Sequence, residues 1–98
     1  MPSYLSLGNY TAEGLASFGD VESRLAAAKQ AISDAGGRMI FFYLTFGEYD
    51  IAAVVELPDD EAAARLSINQ QRSGMITGKT VRCFTEDETI ALAGSLGG

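Results

Sequence analysis

The stretch that decides the fold is RMIFFYLTFGEYDIAAVVEL, residues 38–57. Two runs rich in β-branched and aromatic residues flank Gly47-Glu48, a pattern typical of a β-hairpin. A two-residue loop with glycine first fits a type II′ turn, because the first central residue of that turn needs a positive φ. The loop sets a register in which Leu44 pairs with Ile51 and Thr45 pairs with Asp50.

The segments before the hairpin predict a strand and a helix. Tyr4 to Tyr10 alternates between apolar and other residues, as a strand does. Apolar residues then recur from Val21 to Ala35 at spacings of three and four, which indicates an amphipathic helix. Gly36-Gly37 ends this helix, because glycine adopts the left-handed C-cap conformation at little cost.

The segments after the hairpin predict a second helix, a last strand and a C-terminal helix. Asp59 and Asp60 favour a helix start, since acids stabilise a helix N-terminus. Ile76 to Thr85 is strand-like, and Thr85 with Glu88 forms a capping box. Right-handed crossovers then give a ferredoxin-like α+β fold in the order βαββαβ. It has one four-stranded antiparallel sheet in the order 4-1-3-2, two helices on one face and a C-terminal helix, in a single domain over residues 1–98.

The predicted register sorts the side chains of the sheet into two faces. The first is purely apolar, so we expect the helices to cover it. It holds Ile40, Phe42, Leu44, Ile51, Ala53, Val55 and Leu57, with Leu5, Leu7, Val81 and Cys83. The second is aromatic rather than polar. It holds Met39, Phe41, Tyr43, Thr45, Asp50, Ala52, Val54 and Glu56, with Tyr4, Ser6, Thr80, Arg82 and Phe84.

The second face predicts a partner. Its four rings bury about 150–250 Å² each, and even half exposed they exceed the apolar patch that a monomer usually tolerates. We expect a second copy to cover it, sheet against sheet about a two-fold axis, in a homodimer. A slip of one residue in register would exchange the faces.

Composition excludes several classes of function. The net charge is −6, with only seven Lys and Arg, which argues against nucleic-acid binding and against binding to an anionic membrane. The absence of His removes Ser-His-Asp triads and His-ligated metal sites. A single Cys allows no intramolecular disulfide, as is usual in the cytoplasm, which is the expected location. No metal and no cofactor are predicted.

The stretch FYLTFGEYDIAAVVELPDDEAA resembles the signature of the GYD-domain family, with Gly47, Tyr49 and Asp50 in the G-x-Y-D arrangement. YLSLGNYTAEG, AGGR and CFTEDE are also similar to the pattern of that family. The resemblance implies a dimeric α/β barrel, in which ferredoxin-like protomers pack their sheets around a central cavity. It implies no settled biochemical activity.

The candidate site lies on the second face. Its predicted ligand-binding residues are Tyr4, Phe41, Tyr43, Asp50, Arg82 and Phe84. Asp50 is the one catalytic candidate, as an acceptor or as a base with a raised pKa. The alternative is that Asp50 pins the hairpin through backbone N–H groups. The aromatic residues could equally form interface core, and an ion pair with Glu56 is an alternative for Arg82, because an unpaired buried charge is costly.

Three functions remain open from the sequence. The first is a homodimer that binds a small apolar or aromatic molecule in a cavity on the sheet face. The second is a cofactor-independent enzyme, similar to a monooxygenase or an isomerase, with Asp50 as base and Tyr43 or Arg82 stabilising an oxyanion. The third is a structural or interaction module without a pocket.

Overall fold

The computed structural model describes residues 1–97 and has an α+β architecture. The strands are β1 (Ser3–Tyr10), β2 (Arg38–Leu44), β3 (Ile51–Glu56) and β4 (Ile76–Cys83). The helices are α1 (Ala12–Ala16), α2 (Val21–Asp34), α3 (Asp60–Arg72) and α4 (Glu86–Ser95), with a 3₁₀ turn at Phe18–Asp20. All strand pairs are antiparallel, in the order β2-β3-β1-β4. The predicted strand order is confirmed, and the arrangement is consistent with a ferredoxin-like fold.

Local sequence signals end and start the helices as predicted. At the end of α2, Gly36 has φ +88°, and the Gly37 N–H donates to the Ile32 carbonyl oxygen at 2.9 Å. This is a Schellman motif. The Asp59 side chain accepts from the Ala62 N–H at 2.9 Å and caps α3. Thr85 and Glu88 form the capping box of α4.

The hairpin keeps the predicted register near its loop and departs from it at the far end. Leu44 pairs with Ile51, and Gly47 has φ +138°. The Thr45 N–H donates to the Asp50 carbonyl oxygen at 2.7 Å, as the predicted pairing requires, but the regular strands end at Leu44 and Ile51, so the loop is longer than predicted. A β-bulge at Ile40 adds one residue to β2, which places Met39 opposite Val55 on the helix-covered face. The predicted positions of Met39 and Ile40 are therefore wrong.

The faces predicted for β1 and β4 are reversed. Tyr4 pairs with Val55 and with Arg82, so Tyr4 and Arg82 belong to the face that the helices cover. By alternation, the residues moved to the helix-covered face are Tyr4, Ser6, Thr80, Arg82 and Phe84, and those moved to the opposite face are Leu5, Leu7, Val81 and Cys83. The Tyr4 side chain is only 3% exposed, and its hydroxyl donates to Asp60 Oδ1 at 2.6 Å. Burial of the ring together with a partner for the hydroxyl lets a tyrosine occupy this core position.

The core lies between the sheet and the two main helices. Ile32 of α2 and Ala63 of α3 pack against the sheet with Tyr4, Val55 and Leu57. Ile32 and Leu57 are 1% and 0% exposed, so this is the best-packed region of the molecule.

The opposite side of the sheet, which we call the open face, is covered by no element among residues 1–97. Its side chains form rows across the four strands. The two central rows are Phe41–Val54–Leu5–Val81 and Tyr43–Ala52–Leu7–Lys79. The outer rows are Arg38–Glu56–Ser3–Cys83 and Thr45–Asp50–Asn9–Thr77. The open face therefore has an apolar centre between two largely polar ends.

Candidate functional site

A cavity of about 110 Å³ lies between the helices and the sheet, on the helix-covered side. Side chains of β1, β3, α2 and α3 line it. Its wall is mostly apolar and includes Ala28, Ile32, Ala53, Leu57 and Ala63. The cavity is on the opposite side of the sheet from the site that the sequence predicted.

Small residues create this cavity. On the helix-covered side of β1, the bulky Tyr4 and Tyr10 stand at the ends, and Ser6 and Gly8 stand between them. Ala28 of α2, which is also small, lines the same cavity. Because these short side chains cannot fill the space between the layers, a void remains beside a well-packed core.

One end of the cavity is polar and aromatic. Tyr10 and Phe18 line it and make an edge-to-face contact, with ring centroids 5.5 Å apart. Arg24 of α2 and Gln70 of α3 line the cavity as well. The Thr11 N–H donates to the Met75 carbonyl oxygen at 3.0 Å, which ties the end of β1 to the segment that follows α3.

Two charged groups, Asp50 and Arg24, act on the Tyr10 hydroxyl at this end of the cavity. Burial raises the pKa of the Tyr10 hydroxyl, the negative charge of Asp50 raises it further, and the positive charge of Arg24 lowers it. The hydroxyl therefore stays protonated at neutral pH and can donate a hydrogen bond.

Asp50 is held by the backbone of β1. Its Oδ2 accepts from the Tyr10 N–H at 3.0 Å, and its own N–H donates to the Gly8 carbonyl oxygen at 2.9 Å. The Asn9 side chain accepts from the same Asp50 N–H at 3.1 Å. These bonds favour the interpretation in which Asp50 pins the hairpin to the first strand. A catalytic role for Asp50 stays a prediction.

The structure divides the other predicted site residues between the two sides of the sheet. Phe41 and Tyr43 lie together on the open face, with ring centroids 5.0 Å apart. Tyr4, Arg82 and Phe84 lie on the other side, where the Arg82 guanidinium stacks 4.3 Å from the centre of the Phe84 ring. Tyr4 and Arg82 border a more open depression of about 380 Å³ between α3 and β4. The predicted set is therefore not one site.

The alternative of an Arg82–Glu56 ion pair within the protomer is also wrong. Glu56 lies on the open face and pairs with Arg38, with 2.7 Å between Nε and Oε1. Arg82 points to the other side of the sheet.

A family model for the GYD domain matches residues 4–93, which is nearly the whole chain. The chain belongs to the GYD-domain family. Searches of curated proteins and of solved structures find no match. The family assignment confirms the resemblance carried by Gly47, Tyr49 and Asp50. In this GYD domain the motif residue Asp50 joins the hairpin to β1 through its side-chain oxygen.

Neither a metal cluster nor a membrane span is found in the described part of this GYD domain. Within residues 1–97, no group of three or more His, Cys, Asp or Glu side chains could hold a metal ion. None of the helices in this range combines the length and the hydropathy that a membrane span requires.

Sequence reasoning missed three residues of the cavity in this GYD domain: Tyr10, Arg24 and Gln70. The sequence does contain a feature that could have identified Arg24. Arg24 lies on the apolar stripe of α2, three residues after Val21 and four before Ala28, as a single charged side chain on an apolar face. Nothing local in the sequence marks Tyr10 or Gln70, since both depend on how distant elements pack.

Proposed function

We propose that the protein is a homodimer that binds a small apolar or aromatic molecule, with one ligand in the cavity between the helices and the sheet of each protomer. The observation that carries the proposal is the cavity itself, whose wall is built largely from apolar side chains. Cavities lined by Leu, Ile and Phe take up small hydrophobic molecules, and the apolar part of this wall resembles such a lining.

The volume of the cavity sets the size of the ligand. Its 110 Å³ is somewhat below the roughly 150 Å³ of an engineered apolar cavity that takes up benzene. A body about as large as a single six-membered ring, or a short alkyl chain, therefore suits the space. A larger ligand would require the helices to move apart.

The open face supports the dimer. With strands about 4.8 Å apart and a rise of about 3.3 Å per residue, four strands of seven residues present roughly 400 Å². The centre of this area is apolar and polar residues rim it, which is the arrangement of many interaction surfaces. Tyr43 is 61% exposed and Val81 is 42% exposed in the protomer. A second copy packed about a two-fold axis would bury these side chains, because each open face would then meet an identical open face.

The dimer gives the two sides of the sheet separate roles. The helix-covered side holds the ligand, and the open face, with Phe41 and Tyr43, holds the second copy. A ligand between the two sheets, as the sequence predicted, stays a prediction because that space forms only when two copies meet.

A cavity-blocking substitution tests ligand binding. Ala28→Leu places a larger apolar side chain in the void, and leucine is a strong helix former, so we expect the fold to be kept. Toluene is the probe, and the readout is the amide shifts in ¹H–¹⁵N NMR spectra during titration. Wild type should show saturable shifts around the cavity, and Ala28→Leu should lose them without a fall in melting temperature.

Ala27→Leu is the matched control, because it makes the same change at the neighbouring exposed position of α2. It should bind toluene as wild type does. Toluene binding that survives Ala28→Leu, with shifts centred on Phe41 and Tyr43, would move the site to the sheet face. If wild type shows no saturable shifts at all, the cavity is not a ligand site.

A further inference from the structure

We infer that the ligand of this cavity carries a carboxylate, which binds the guanidinium of Arg24 while its apolar body fills the space towards Ile32 and Leu57. The inference rests on the proposed function and adds the chemical class of the ligand: a monocyclic aromatic acid or a short-chain carboxylic acid.

Arg24 reaches the cavity from the second turn of α2. Its side chain is half-buried and lines the cavity together with Leu25 and Ala28. Its Nη2 donates to Ser17 Oγ at 2.7 Å. A guanidinium has five N–H donors in a rigid fork, so this bond leaves most of them for a ligand.

The positive charge of Arg24 has no ion-pair partner within the described residues 1–97. The ion pairs found there join Arg38 to Glu56 and Arg65 to Glu61. Asp20 is four residues before Arg24, a spacing that allows an ion pair on a helix, yet the guanidinium turns to Ser17 instead. A half-buried charge without a counter-ion is unfavourable, and a bound carboxylate would offset that cost.

The neighbours of Arg24 suit the same anion. The Tyr10 hydroxyl keeps its proton at neutral pH, and the Gln70 side chain carries an amide donor. Asp50 is the carboxylate whose charge acts on Tyr10, and its Oδ2 accepts from the Tyr10 N–H. A ligand anion would have the Arg24 cation and neutral donors at this end of the cavity, against the negative charge of Asp50, which the backbone of β1 already binds.

The opposite end of the cavity restricts the rest of the ligand. Ile32, Val55 and Leu57 form its wall, and all three are buried. A second charged group placed there would have no polar partner and would lose its hydration. The site therefore favours a monoacid over a diacid.

A matched pair of ligands tests the carboxylate. Benzoate and benzamide have nearly the same shape, and only benzoate is charged. Wild type should bind benzoate more tightly than benzamide by on the order of tenfold in NMR titrations, since charge-assisted hydrogen bonds are roughly twice as strong as neutral ones. Arg24→Gln should lower the benzoate affinity to that of benzamide and change the benzamide affinity by less than about twofold.

Lys29→Gln removes the same charge from an exposed position of α2 and should leave both affinities unchanged. If Arg24→Gln does not fold, Arg24→Lys keeps the charge without the planar fork and should bind benzoate with intermediate affinity.

Two results would overturn the inference and leave the proposed function intact. In the first, wild type still binds toluene but binds benzoate and benzamide with equal affinity. In the second, an Arg24→Gln variant loses benzamide and benzoate binding to the same extent. A wild type that binds none of toluene, benzamide and benzoate would instead contradict the proposed function.

Discussion

Asp50 illustrates how a family-specific residue can be explained by the backbone around it. The hairpin leaves the Tyr10 N–H without a strand partner at the end of β1, and the Asp50 carboxylate accepts from it at 3.0 Å. A backbone donor left unpaired in a partly buried position costs free energy comparable to a lost hydrogen bond. The bond thus gives Asp50 a structural role, whether or not it has a catalytic one.

We expect Asp50→Ala to lower the free energy of unfolding by about 1–3 kcal/mol, because the Tyr10 N–H then has no acceptor. Asp50→Asn should lose less, since its side-chain oxygen can still accept the bond. Urea denaturation of the two variants measures the difference. Equal stability of wild type and Asp50→Ala would remove the structural explanation and favour the catalytic one.

Tyr4 is the second residue whose position the structure explains. Burial, followed by the hydrogen bond to Asp60, raises the pKa of its hydroxyl from the ordinary value of 10.0 to about 12. Between these two pH values the unfolded chain releases the proton and the folded protein retains it. The stability that depends on the protonated hydroxyl is therefore fully present below pH 10 and is lost as the pH rises towards 12.

We expect the urea midpoint of wild type to fall as the pH rises from below 10 to about 12. Tyr4→Phe should show a smaller fall, because it removes the group that titrates. Some decline should remain in the variant, since burial also raises the pKa of Tyr10. If the urea midpoints of wild type and Tyr4→Phe fall by the same amount over this pH range, the hydrogen bond from Tyr4 to Asp60 does not contribute to stability.

At the scale of the elements, the β2–β3 hairpin was predictable and the faces of β1 were not. The pairing of Leu44 with Ile51 follows from a turn between neighbouring strands, which a local signal such as Gly47 specifies. β1 pairs with β3 across 43 to 53 residues of sequence, and no local signal sets that register. Alternation separates the faces of a strand but does not say which face the helices cover.

The apolar leucines of β1 misled the prediction because both sides of this sheet are apolar. Leu5 and Leu7 complete the open face, and the helix-covered side of β1 uses Tyr4, Ser6 and Gly8. Long apolar side chains therefore do not identify the core here. The cavity could not be predicted either, since its lining combines small residues of separate elements, such as Gly8 of β1 and Ala28 of α2.

At the scale of the whole molecule, the corrected faces change which side chains support the proposed dimer. The predicted second face included Tyr4 and Arg82, whereas the observed open face has Leu5, Leu7 and Val81 in its centre. It keeps two of the four predicted rings, Phe41 and Tyr43, and none of the elements in residues 1–97 covers it. Its four rows run across the whole sheet, so an identical copy could cover them completely.

A pair of neighbouring residues allows the dimer to be tested without disturbing the protomer. Tyr43 and Leu44 are 61% and 59% exposed, but they point to opposite sides of β2. We expect Tyr43→Glu to dissociate the dimer, because a charge on the apolar part of the open face would lose its hydration in the interface. Leu44→Glu, which adds the same charge on the other side of the strand, should leave the dimer intact.

The most direct test of the account is the mass of the protein in solution, measured by sedimentation equilibrium at micromolar concentration. Wild type and Leu44→Glu should have twice the 10.4 kDa mass of the chain, and Tyr43→Glu should have the mass of one chain. A wild-type protein that sediments as a monomer under these conditions would contradict the account, because the open face would then be exposed to water.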